Sequence, residues 1–399
     1  MSWHDITLGD AIHVKHGFAF KGQHFSDNGE YIVLTPGNFN EEGGFKLRPG
    51  KDRFYTGDIP EDYILEEGDL IIAMTEQGPG LLGSSALISD SDKFLHNQRL
   101  GLIQDIDETV LDKKYLYYLF NTRSVRGQIR GSATGTKVKH TAPERIYRIE
   151  ATVPSEVTEQ KKIASILSAY DDLIENNRRR IQLLEQAARL LYKEWFVHLR
   201  FPGHEHVTIT DGVPEGWEKK PLFDIASPTY GFAFKSKLFN TDNEGLPIAR
   251  IRDIPSGKSQ TYTIEEAPKE KLLEDGDFVI GMDGDFHMNF WTGGKTWINQ
   301  RVVRIKGTGD VSDAFLRYAC EKPIQDFNAT IVGTTVAHLG AKHLKIIEIL
   351  IPPIGILYDA QDFFDSTQFQ IVVLSNQNRL AKNARDLLLP RLMNGEVAV

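Results

Sequence analysis

Gly17-Phe-Ala-Phe-Lys21 returns unchanged as Gly231-Phe-Ala-Phe-Lys235, at an offset of 214 residues. Trp3-x4-Leu8 and Trp217-x4-Leu222 share that offset. Farther along, Glu67-Gly-Asp-Leu-Ile-Ile-Ala-Met74 is answered by Asp275-Gly-Asp-Phe-Val-Ile-Gly-Met282 at 208, and Asn97-Gln-Arg99 by Asn299-Gln-Arg301 at 202. Gly135-Thr136-x-Val138-x-His140 is answered by Gly333-Thr334-x-Val336-x-His338, and Val153-Pro154 by Ile351-Pro352, both at 198. The order is kept while the offset shrinks, so the second copy has lost residues between anchors, where loops belong. The chain reads as a tandem duplication with a period near 200 residues, which excludes a short-period solenoid.

Within each copy the strand signals are short and separated by Gly, Pro and Asn clusters. Tyr31 to Leu34, Asp69 to Ala73, Ala86 to Ile88 and Ile146 to Val153 read as strands in the first copy. Phe278 to Gly281, Trp297 to Ile305 and Leu344 to Ile351 read as strands in the second. Tyr115 to Arg126 and Asp313 to Cys320 read as short helices. The fold class is therefore α+β: two similar mixed globules, each followed by a long helix.

The first long helix is predicted from Glu156 to Phe196, about 60 Å at 1.5 Å per residue. Its apolar positions step by four and three: Ile163, Leu167, Tyr170, Ile174, Asn177, Ile181, Leu184, Ala188, Leu191 and Trp195. That is a coiled-coil seam with one polar member, and a buried Asn at such a position fixes register at a cost in stability. The second is predicted from about Tyr358 to Leu392, with Phe364, Thr367, Ile371, Leu374, Asn378, Ala381, Arg385, Leu388 and Leu392 on its seam. Asn378 is the expected partner of Asn177, and Pro390 is expected to kink or fray the last turn. Two similar helices bury their seams most simply against each other. An antiparallel pair would close the repeat about a pseudo-two-fold axis and set the globules at opposite ends of a rod. The expected segments are 1–154 and 216–354 for the globules, 155–201 and 355–399 for the helices, and 202–215 for a linker.

Composition bounds the function. The 399 residues are 41% hydrophobic and 25% charged, an ordinary globular balance. A single cysteine, Cys320, excludes a disulfide framework and a cysteine-based zinc site, and makes the cytoplasm the default address. The most apolar run, Ile346 to Leu357, is broken by Glu348, Pro352 and Pro353, so no membrane span is expected. The first 20 residues carry Asp5, Asp10 and three histidines, so no secretory leader is expected either.

Catalytic patterns are missing. Gly78-Pro-Gly-Leu-Leu-Gly83 fits G-x-G-x-x-G, but no convincing helix opens after it, and it reads as a strand-to-strand turn. His204-Glu-His206 has no third ligand at useful spacing, so no metal site is expected. Asp283 and Asp285 sit in a Gly-flanked loop and read as a turn. There is no P-loop, H-E-x-x-H or G-x-S-x-G, and no Asn-Pro-Pro-Tyr type tetrapeptide of an amino-methyltransferase.

The net charge of −9 hides its distribution. Lys113 to Arg148 holds nine basic residues against one acid, Glu144, and Lys295 to Lys345 holds eight against four. Arg123, Arg126 and Arg130 form a stripe if helical; the Gly-Ser-Ala-Thr-Gly-Thr segment, then Lys137, Lys139 and His140, offers donors suited to phosphate oxygens. In the second copy Asn328 to Thr335 keeps the Gly-Thr with fewer cations, and Arg250, Arg252, Lys295 and Arg304 are the candidates there. Lys21 and Lys235, closing the repeated motif, are added in both copies, whereas Arg99 and Arg301 are expected to support the fold. Two non-identical readers on one chain imply a split, asymmetric DNA site. Half-sites read from one DNA face lie about one helical turn apart, some 34–36 Å.

Here the chain resembles the specificity subunits of type I restriction-modification enzymes, over essentially its whole length. The motifs are Pro214-Glu-Gly-Trp217, the two Gly-Phe-Ala-Phe-Lys segments, Glu159-Gln-Lys-Lys-Ile-Ala-Ser-Ile-Leu-Ser-Ala-Tyr-Asp-Asp-Leu-Ile-Glu-Asn-Asn177, and the closing Arg385-Asp-Leu-Leu-Leu-Pro-Arg-Leu-Met-Asn-Gly395. One departure is that Gly355 to Asp359 lacks the Glu-Gln-Lys found before the first helix. The resemblance implies two target-recognition domains, each reading half of a split sequence. It also implies partners: two modification subunits that bind S-adenosylmethionine and methylate adenine, and restriction subunits that hydrolyse ATP with Mg²⁺ and cleave DNA. Catalysis and cofactors would then lie outside this chain, which would place the methyltransferase over a base it flips out. Arg178, Arg179, Arg180, Glu185 and Arg189, off the seam, are open to partner helices. A free-standing DNA-binding protein, a protein-binding scaffold and the specificity subunit of a related type II system are the other readings.

Overall fold

The computed structural model describes residues 2–48, 50–76, 80–331 and 337–399. They fall into two compact units. One comprises Met1–Asp172 with Ala381–Val399, the other Leu173–Leu380.

In the first unit Leu70–Ala73 is apolar at every position and buried on both faces, the pattern of an interior strand. It lies third in a four-stranded antiparallel sheet ordered His13–His16, Leu100–Gln104, Leu70–Ala73, Ser85–Leu87. A second sheet orders Phe25–Ser26, Phe54–Tyr55, Tyr31–Val33, Phe94–Leu95 and Ile64–Leu65, with Phe94 parallel to Ile32. A ribbon of Trp3–Thr7 on Glu150–Pro154 closes the globule.

The second unit repeats these two sheets and this ribbon. Its four-stranded sheet runs Ala226–Tyr230, Val302–Gly307, Phe278–Gly281, Met288–Phe290. Its five-stranded sheet runs Phe239–Asn240, Tyr262–Thr263, Leu246–Ala249, Thr296–Ile298, Leu272–Leu273, again with one parallel pair, Ile248 on Trp297. Glu218–Pro221 on Glu348–Ile351 forms the closing ribbon. The shared topology explains the repeated motifs. A Cβ on Gly17 would lie 1.9 Å from the carbonyl oxygen of Asn97, and one on Gly231 would meet Asn299 at 1.9 Å. Only glycine lets these two segments of each copy bridge, Phe18 to Asn97 and Phe232 to Asn299.

Several expected elements resolve differently. Trp297 to Ile305 is two strands, separated by the Asn299–Arg301 turn. Ile146 to Val153 and Leu344 to Ile351 begin within short helices, Pro143–Ile146 and Ala341–Lys345, before their strands start. Tyr115 to Arg126 is two helices, Lys113–Phe120 and Arg123–Gly131, because the Thr122 side chain caps the second by accepting from the Val125 N–H. A helix at Glu321–Thr330 was not expected.

The long helices are Val157–Tyr192, prolonged by a wider π-helical turn at Lys193–Val197, and Ile354–Met393. The second thus starts four residues before the expected Tyr358 and passes through Pro390 to Met393. Within the first unit Ile163 and Leu167 are fully buried in the cluster that holds Leu392 and Met393. There Asp171 accepts from both the Arg385 guanidinium and the Tyr118 hydroxyl, and it raises Arg385 above the ordinary arginine range against the pull of burial. Leu388 is half-buried against the same cluster. Within the second unit Ile174, Ala188, Phe364, Ile371 and Leu374 are buried, while Ile181, Leu184 and Leu191 are half-buried. The helix segments run antiparallel inside each unit. Asn177 is buried, but its amide donates to Gln377 at 3.3 Å and not to the expected Asn378, whose Oδ1 has no partner among the described residues.

Each long helix also brackets its globule with one glutamine. Gln160 accepts from the Asp112 N–H and donates to the carbonyls of Val110 and Pro154. Gln361 does the same at Ser312 and Asp310. Gln361 thus takes the place of Gln160 although Gly355 to Asp359, just before it, lacks Glu-Gln-Lys.

Candidate nucleic-acid interface

In the first unit the helix Arg123–Gly131 buries Val125 and Ile129, one turn apart. Its arginines separate in role. Arg123 is exposed and has no partner among the described residues. Arg126 turns inward: its guanidinium donates to the carbonyls of Leu82 and Glu41, both at 2.9 Å, and to that of Gly80. Burial, then the neighbouring Arg130, lowers its pKa to about 10. Arg126, expected to contact DNA, thus spends its donors on the protein's own backbone. Arg130 is exposed, 3.9 Å from the buried Glu76 carboxylate.

That carboxylate explains the glycine-rich run. Glu76 Oε2 accepts from the N–H groups of Gly80, Leu81 and Leu82 at 3.1, 3.0 and 2.8 Å. Gly80 and Gly83 have φ of +121° and +79°, where glycine is favoured. The described part of the run thus cradles the protein's own carboxylate; Gly78 and Pro79 lie outside the described residues.

The three repeated motifs of the first unit converge beside this loop. Met74 donates to the carbonyl of Arg99 at 2.9 Å, and Thr141 donates to that of Met74 at 2.9 Å. Thr75–Glu76, next in the chain, pairs with Lys139–His140. Lys137, Lys139 and His140 are exposed on this edge, and Thr134 and His140 bond each other's backbone. Lys21 is exposed one residue beyond the Phe20 that ends the pinned segment. Asn97 carries the structural duty of Asn-Gln-Arg: its Oδ1 accepts from the Arg99 N–H at 3.0 Å. The Arg99 side chain is exposed and has no partner among the described residues, contrary to the structural role expected of it.

The second unit has the same convergence with other side chains. Met282 donates to the Arg301 carbonyl at 2.9 Å, Leu339 donates to Met282 at 2.7 Å, and Asp283 bridges His338. The Asp283 carboxylate lies 2.6 Å from His338 Nδ1 and 3.4 Å from Arg301 Nε. The counterpart of Asp283 in the first unit is Thr75. Lys235, Arg252 and Lys295 are exposed. Lys295 edges a groove with Trp297, Lys306, Glu266 and Glu270. Arg250 and Arg304, also expected to contact DNA, are engaged within the fold. The first is held by Asp253 at 3.2 Å and by Thr261, the second by the carbonyls of Leu272 and Glu270 and by Asp277. The Glu321–Thr330 helix, which stands where Arg123–Gly131 stands in the first unit, has Glu321, Lys322 and Asp326 in place of arginines. Of the stretch Asn328 to Thr335, residues 332–335 lie outside the described residues.

His204–His206 forms an exposed turn, with His204 Nδ1 2.8 Å from the carbonyl of Phe201. No helix among the described residues is long and apolar enough to cross a membrane.

Two copies of one framework, each presenting different side chains at the same edge, define a protein with two related binding heads. The family model described as the type I restriction modification DNA specificity domain matches residues 1–186 and again 214–380. The chain belongs to that family. The specificity subunit of the type I restriction enzyme MjaIX from Methanocaldococcus jannaschii is 27% identical over 300 residues, spanning 72% of this chain and 69% of that protein. The EcoBI specificity subunit from Escherichia coli is 32% identical over 144 residues, 36% of this chain and 30% of that one. The crystal structure of a type I restriction-modification S subunit from M. genitalium matches with a TM-score of 0.64 at 16% identity, covering 98% of this chain and 96% of that one. At that identity the match shows a shared fold.

Proposed function

We propose that each domain reads one half of a split, asymmetric DNA target and that the chain itself catalyses nothing. The observation that carries this is the duplicated framework with its motif-bearing edge: the four-stranded sheet, the five-stranded sheet and the closing ribbon recur in the same order, and the side chains exposed at the edge differ. In the first domain Lys21, Arg123, Arg130, Lys137, Lys139 and His140 face the DNA; in the second, Lys235, Arg252 and Lys295 do so.

Partner subunits supply the chemistry. Two modification subunits bring S-adenosylmethionine, and restriction subunits bring ATP and Mg²⁺, while this chain binds no cofactor. The long helices are suited to hold the partners, because they leave large apolar side chains in solvent. Ile166 and Leu387 do so in the first unit, and Leu173, Leu183, Leu190, Phe369 and Leu380 in the second. Such surfaces mark protein contacts. The work is done in the cytoplasm, where the DNA is.

Single-molecule sequencing of genomic DNA, with and without this gene and a modification gene beside it, tests the reading. The expected result is an N6-methyladenine mark, present only with both genes, on one split and asymmetric motif. A continuous motif marked on both strands would instead place the chain in a type II system. No change would refute the DNA-specificity role.

A further inference from the structure

We propose that Arg99 in the first domain and Arg301 in the second each contact a DNA phosphate, giving both half-sites the same sequence-independent anchor. The inference rests on the reading above and assigns a role to a motif that the fold does not fully explain. Asn-Gln-Arg is repeated in both copies. The framework accounts for its Asn, through the backbone it caps and the carbonyl pressed against Gly17 or Gly231. Nothing in the framework uses the arginine of the first copy, whose side chain is exposed and without a partner among the described residues. In the second copy Arg301 is 52% exposed and, among the described residues, pairs only with Asp283, at 3.4 Å.

Both arginines stand on the same platform. Each turn flanks the strand that leaves Met74 or Met282, and the other flank of that strand is the His140 or His338 segment. A side chain kept the same in two domains cannot discriminate between two different half-sites. What the half-sites share is the phosphate backbone, and a guanidinium fork matches phosphate oxygens. The copies differ in strength. Thr75 leaves Arg99 unopposed, whereas Asp283 draws on Arg301 and would repel a phosphate. Arg99 is therefore the stronger anchor.

The test uses this chain assembled with its modification subunits, on duplexes with and without the methylated motif. Arg99→Ala should weaken binding to both duplexes by about tenfold at low salt. It should also flatten the slope of log affinity against log salt by about 0.9, the counterion share of one phosphate. Arg301→Ala should do the same to a smaller extent, Arg99→Lys should restore the slope, and the methylated motif should stay the same throughout. Three results overturn the proposal: an unchanged salt slope in Arg99→Ala, a motif relaxed at one position (a base contact), or loss of co-elution with the modification subunits (a partner contact). If the wild-type assembly methylates no motif at all, the DNA-specificity reading itself fails, and the anchor with it.

Discussion

Arg126 and Lys139 belong to one basic stretch, yet the fold puts them to opposite uses. Arg126 satisfies three backbone carbonyls, so Arg126→Ala leaves those of Leu82 and Gly80, in partly buried surroundings, without their donor. The first domain should lose about 3 kcal/mol of stability, read from denaturant midpoints. Lys139→Ala, at an exposed position, should change stability by less than about 0.5 kcal/mol and weaken DNA binding at low salt. Equal stability of the two variants would refute the division. His96 gives the first domain a second private property. Its ring is wholly buried with Nε2 on the Leu100 carbonyl, and burial lowers its pKa from 6.5 to about 4. The unfolded chain takes up a proton below pH 6.5 and the folded domain does not until about pH 4. Stability is therefore full above 6.5 and falls by roughly 3 kcal/mol as pH drops through that window. Ile298 holds the same place in the second domain, so His96→Ile should remove the loss. Amide exchange in Leu100–Gln104, followed from pH 7 to 4.5, checks it; equal acid sensitivity in both proteins would refute it.

Elements differ in how plainly the sequence announces them. The long helices were legible because their apolar steps persist over many turns, and Ile163, Leu167, Ile174, Ile371 and Leu374 are buried as spaced. Their ends were less so: Ile354 begins a helix four residues before the regular pattern does. The partner of Asn177 was misread by one residue, since one step turns a helix by about 100° and register depends on the facing helix. Strands such as Phe54–Tyr55 and Phe94–Leu95 have two residues each, too few for any alternation to show. The closing strands were read as too long because Ile146 and Leu344, which belong to short helices, are followed within a few residues by the apolar positions of the strands. In the site, charge showed which segments matter. It gave no sign of which cations spend their donors inside the fold, Arg126 and Arg304 on carbonyls far away in sequence and Arg250 on the Asp253 and Thr261 side chains, because that depends on the folded surroundings.

For the molecule, duplication was the most legible fact, and its unequal packing the least. The first unit is assembled from two pieces of chain, 1–172 and 381–399, with the second unit continuous between them. The late piece is no ornament. Leu392 and Met393 are buried in the first domain's core, and a Cβ on Gly395 would lie 2.8 Å from the Trp3 ring. A chain ended after Leu380 should therefore keep the second domain's amide protection and lose the first's; protection of both would refute this. Chains leave the ribosome N-terminus first. The domain that is synthesised first must then wait, open, until residues 381–399 arrive, while the domain begun later already has all its parts.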